Sequence, residues 1–120
     1  MTSKALSKLN ELLSPIVNYS FMRGDASRYP FWEGDYNESG SQNEDNSRST
    51  ILTLSGTSNS SWESLEIDKE KIIDALDRNQ YVVDGGTVAF FYESSIVVPV
   101  EDASYKRMEM RFTVREWRQK

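Results

Sequence analysis

The chain contains no cysteine and no histidine. Disulfides and thiolate chemistry are therefore excluded, as are the zinc sites that rely on Cys and His. The Ser-His-Asp arrangement and a histidine general base are excluded as well. The lack of cysteine suits a reducing cytosol without requiring one. Long apolar runs are missing too. Nothing approaches the ~20 residues needed to cross a bilayer, and Met1-Thr-Ser-Lys-Ala-Leu-Ser-Lys-Leu9 lacks the continuous apolar stretch of a signal peptide. The expectation is a soluble protein with no membrane partner that stays where it is made. Basic charge is also short. A formal net charge of −5 argues against a dedicated nucleic-acid binder. A phosphate-binding loop is absent, because Gly85-Gly86 is not followed by a lysine and a Ser/Thr opening a helix.

What remains is enough for one compact domain spanning 1–120. A chain of this length hides roughly two-thirds of the surface its unfolded form exposes. With 38% apolar residues the core has little surface to spare, and the aromatics, 12% of the chain, carry much of its volume. The charge is unevenly placed. Residues 33–45 hold Glu33, Asp35, Glu38, Glu44 and Asp45 with no basic residue. Residues 106–120 hold Lys106, Arg107, Arg111, Arg115, Arg118 and Lys120 against Glu109 and Glu116. An acidic loop and a basic strand of this kind attract each other, within a subunit or between subunits.

Leu6, Leu9, Leu12 and Leu13 predict a helix over 3–14, capped by Ser3 and ended by Pro15. Residues 16–22 alternate as a strand, and Arg23-Gly-Asp25 is read as a tight turn. Tyr29-Pro-Phe-Trp-Glu-Gly-Asp-Tyr36 packs four aromatics into eight residues, broken by Pro30 and Gly34. Proline cannot donate to a ladder, so this segment is expected as an edge strand or interface ridge. The competing expectation is that its rings close one end of the core. Residues 37–49 contain no apolar residue and predict a long polar, mobile loop.

Thr50–Leu54 predicts a strand. Ser60 with Glu63 matches a capping box, and Trp62, Leu65, Ile72, Ile73 and Leu76 mark the apolar face of a helix over about 60–77. Asp84-Gly-Gly86 predicts a hairpin turn. Residues 87–92 and 96–100 predict two apolar strand pieces, the second held to an edge or bulge by Pro99. From Lys106 to Trp117 the alternation is clean. Met108, Met110, Phe112 and Val114 face one way; Arg107, Glu109, Arg111, Thr113 and Arg115 face the other. The order α-β-β-β-α-β-β gives an α+β domain, a mostly antiparallel sheet with two helices packed on it.

No catalytic, cofactor-binding or metal-binding residues emerge. Glu33 and Asp35 could serve as an acid pair, but nothing in their charged surroundings raises the pKa of one of them. Asp35, Glu38, Glu44 and Asp45 do not match the spacing of a calcium loop. Arg107, Arg111 and Arg115 form a row that suits an acidic partner. Without interleaved exposed aromatics they do not suit a nucleic acid.

Three segments carry a resemblance. Tyr29–Tyr36, Leu54–Glu66 followed by Lys69-Glu-Lys-Ile72, and Phe91-Tyr-Glu93 with Pro99 and Phe112–Trp117 resemble, in order, parts of the tail-terminator (tail-completion, minor capsid) proteins of siphophages and prophages of Gram-positive bacteria. The resemblance spans most of residues 29–117. It implies an α+β subunit that closes into a hexameric ring on the tail tube, halts its growth and meets the head connector, in the virion after assembly in the host cytoplasm. DNA would pass through without sequence-specific binding. No enzymatic role and no cofactor is implied. Such a ring needs a heterologous interface. Tyr29, Phe31, Trp32 and Tyr36 are the expected residues on one side, and Arg107, Arg111 and Arg115 on the other. Glu38, Glu44 and Asp45 are expected to face the channel. The alternatives are a monomeric or dimeric adaptor or inhibitor domain, a small hydrolase using an acid pair, or a neighbouring head-completion or tail-tube subunit.

Overall fold

The computed structural model describes residues 1–22, 27–38 and 48–118. The elements are α1 (Ser3–Leu13), β1 (Tyr19–Phe21), β2 (Phe31–Glu38), β3 (Arg48–Ser58), α2 (Trp62–Leu76), β4 (Asn79–Val83), β5 (Gly86–Val98) and β6 (Lys106–Arg118). The six strands form one sheet in the order β1-β2-β3-β6-β5-β4. Every pairing is antiparallel except the short parallel one between β1 and β2. This is the α+β architecture expected from the residue pattern.

Both helices lie on one face of the sheet because each has one apolar stripe to bury. Ala5, Leu9 and Leu13 of α1 and Leu65, Ile72 and Leu76 of α2 join Trp32, Leu52, Leu54, Val88, Phe90, Met110, Phe112 and Val114 in one core. On β6, Met108, Met110, Phe112 and Val114 are buried as the alternation requires. The cap of α1 is Thr2 rather than Ser3. Its hydroxyl accepts the Ala5 N–H at 3.2 Å and donates to Glu116 at 2.6 Å. The cap of α2 is Ser61, accepting from Ser64, and not the expected Ser60–Glu63 box. Trp62, expected on the apolar stripe of α2, is 40% exposed at its first turn.

Four other expectations are corrected. The 29–36 segment is an edge only in part: β3 pairs with the whole of β2, β1 pairs with Trp32–Gly34 on its other side, and Pro30 stands just before the strand, where no ladder bond is lost. Gly34 has a packing reason. A Cβ there would lie 2.7 Å from the Tyr19 hydroxyl, so the glycine gives the buried Tyr19 ring its place. Residues 16–22 form a strand only over Tyr19–Phe21, after which Met22 turns away with φ 65°. The pieces 87–92 and 96–100 are one long strand, β5, which absorbs its irregularity as a bulge between Tyr92 and Ser94 and ends just before Pro99. The Asp84–Gly86 turn joins β4 to β5 as expected, with Gly85 at φ 87°. Asn37 and Glu38 belong to β2, not to the polar loop. The 23–25 turn and most of that loop, including Glu44 and Asp45, lie outside the described residues.

Candidate assembly surface

Among the described residues no helix or strand covers the sheet face opposite the helices, and strand alternation decides what it carries. Across the register, β2 contributes Phe31, Glu33, Asp35 and Asn37. β3 contributes Ile51, Thr53, Ser55 and Thr57, and β6 contributes Arg107, Glu109, Arg111, Thr113 and Arg115. The two halves of the charge asymmetry thus share one surface, two strands apart. Among the described residues the expectation that they attract is met inside the subunit where Arg107 reaches Glu33 at 3.7 Å. Both side chains are about a third exposed, so this pair contributes on the order of 1 kcal/mol or less.

The three arginines differ. Arg107 is half-buried and engaged with Glu33. Arg111 is exposed, beside Thr53 and Ser94, and lines a small depression with Ile96 and Glu109. Arg115 is half-buried, its guanidinium 5.5 Å from the centre of the Trp117 ring in a cation–π arrangement. Arg115 stands opposite the fully buried Ala89. The row is therefore one open arginine flanked by two that are partly committed.

The aromatic segment divides between the two faces. Tyr29 and Phe31 lie at the end of the open face nearest the β5–β6 connection, with ring centres 5.4 Å apart. Tyr105 from that connection stands 6.1 Å from Tyr29. Trp32 points the other way. It is fully buried, and its indole N–H donates to Asp68 of α2 at 3.0 Å. Trp32 is thus a core residue and not an interface ring, because the period of two that turns Phe31 outward turns Trp32 inward. Tyr36 also stands on the helix side, beyond the helices. It is 36% exposed and stacks on Phe21 at 5.9 Å.

Burial raises the pKa of the Asp68 carboxyl; the hydrogen bond from Trp32 and the nearby Lys71 work against that shift. Glu38 ends β2, and its carboxylate takes the ammonium of Met1. Glu38 does not stand in an acidic loop. Exposed apolar side chains missed in the sequence are Val82 on β4, Ile96 and Val97 on β5, and Val100 beyond it. The signal available was the strand-like run 96–100, which has no charge to break it. Among the described residues no group of acidic side chains is arranged to hold a metal ion, and no helix is long and apolar enough to cross a membrane.

Among solved structures, the chain is similar to a chain of the virion of a native gene transfer agent particle. The TM-score is 0.69 at 14% sequence identity, covering 90% of this chain and 83% of that one. At this identity the likeness is one of fold. No family model matches the chain, and no curated protein matches it either.

Proposed function

We propose that the chain is a structural protein of a phage-like particle, a tail terminator that closes into a ring on the tail tube and joins it to the head connector. The observation that carries this reading is the fold shared with a virion chain across nearly the whole of both molecules. Its support from the surface is an open sheet face bearing aromatic rings at one end and acidic and basic strands on either side of β3.

In this reading the ring is a hexamer, and its heterologous contacts use Tyr29, Phe31 and Tyr36 on one side and Arg107, Arg111 and Arg115 on the other. Arg111, the exposed member of the row, contributes most. The protein assembles in the host cytoplasm, ends in the virion and acts without catalysis. The test is solution mass by light scattering after gel filtration, over a concentration series at two salt levels. A rise toward six subunits, weaker at high salt because surface charges are screened, supports the reading. A strict monomer throughout, with or without tube protein, would shift the assignment to a monomeric protein-binding adaptor.

A further inference from the structure

Among the described residues the sheet carries a strand on one side only along two stretches on opposite edges. β4 covers β5 only from Gly86 to Phe90, so Phe91–Val98 pairs with β6. β1 covers β2 only from Trp32 to Gly34, so Asp35–Asn37 pairs with β3. Among the described residues no further strand lies across either stretch. At ~3.3 Å per residue they run about 25 Å and about 10 Å.

Unpaired edges are templates for another strand, and proteins that must stay single blunt them with charge, proline or bulges. The β5 edge is blunted only at its start. Asp77 accepts the Tyr92 N–H at 2.9 Å, and the bulge falls at Glu93. Beyond it, Ser94–Val98 carries no charge, and Ile96 and Val97 are 56% and 59% exposed.

We propose that this part of β5 receives Asp35–Asn37 of β2 from a second copy, so that the sheet runs on from subunit to subunit. The inference rests on the self-assembly reading above and adds to the side-chain contacts named there a backbone contact along the sheet edges. The strand directions favour this occupant. From β2 through β3 and β6 to β5 every pairing is antiparallel, so β2 and β5 run opposite ways. A copy placed alongside by simple rotation keeps its helices on the same side and offers β2 antiparallel to β5. The side chains agree as well. Tyr36 and Val97 both stand on the helix-bearing face, since they pair with Leu52 and Met108 of the core. Docking therefore brings two exposed apolar groups together.

Each copy gives one edge and receives at the other, which is a heterologous contact able to close on itself. The open part of β5 lies toward the 99–105 connection and the open part of β2 toward the far end of the sheet. Neighbours therefore engage with an offset along the strands. In a closed ring such an offset tilts the strands against the axis, as in a barrel.

The absence of native cysteine makes the test direct. Asn37 and Ile96 stand on the same open face, one on each edge. The variants Asn37→Cys and Ile96→Cys are made singly, co-expressed, and combined in one chain, then treated with a short bifunctional maleimide. The expected result is a dimer band only when the two singles are co-expressed, and a multimer ladder from the double variant. If light scattering shows an oligomer but neither band nor ladder forms, this edge pairing is overturned while the ring reading stands. A monomer at every concentration, with no cross-linked product, overturns both.

Discussion

Gly56 and Trp32 are in register across β3 and β2, and their contact can be tested as a pair. A methyl at Gly56 would lie 2.7 Å from each of Cη2, Cζ2 and Cζ3 of the indole, closer than carbon atoms tolerate. The ring cannot swing aside at no cost, because it is fully buried and tied to Asp68. Gly56→Ala should therefore destabilise the chain by about 1–3 kcal/mol, the usual range for overpacking a dense core. That corresponds to roughly 4 °C of melting temperature per kcal/mol in a domain of this size. Trp32→Phe shortens the ring and leaves Asp68 without its donor, costing about 1–3 kcal/mol of its own. In that background the added methyl enters vacated space, and its cost should fall below ~0.5 kcal/mol, a coupling of about 0.5 kcal/mol or more. Urea unfolding followed by far-UV circular dichroism measures all four corners, since tryptophan fluorescence changes with the substitution itself. Equal cost of Gly56→Ala in both backgrounds would refute the placement of Trp32 in the core.

Three further outcomes are expected. Burial holds the Asp68 pKa above the ordinary carboxylate value, so its contribution to stability is present below the unfolded pKa and is lost as pH rises through the folded one. Asp68→Asn, which keeps an acceptor for the indole N–H, should thus be modestly more stable than the parent at neutral pH. The gap should close as pH falls through the carboxylate range in a pH series of thermal melts. Asp77→Ala frees the Tyr92 N–H and should cost about 1 kcal/mol, while raising light scattering on storage because the open edge of β5 grows longer. Tyr29→Ala with Tyr105→Ala, the first half-buried and the second exposed, should leave the melting temperature within a few degrees yet shift association to higher concentration. A large fall in melting temperature would instead make the pair structural.

The fold was legible where burial acts on every second or every third to fourth residue. β6 reads cleanly because one face meets the helices and the other meets solvent, and the leucines of α1 read for the same reason. The 29–36 segment did not, because its proline and glycine look like breakers when position in the sheet is unknown. Pro30 stands outside the strand and Gly34 makes room for Tyr19, and both facts depend on distant partners. The same holds for Trp32, whose neighbours Asp68 and Gly56 are far along the chain. Charge asymmetry was visible in composition. That its two halves occupy one face was not, because strand order brings β6 beside β3. The free edge of β5 is equally a property of how far β4 extends.

The most direct test of the account is tube growth. Tail tube protein encoded alongside this chain would be polymerised with and without it, and tube lengths measured by negative-stain electron microscopy. The account predicts shorter tubes, each ending in a single ring of this chain at one end. Tubes of unchanged length, with the chain absent from their ends, would contradict it.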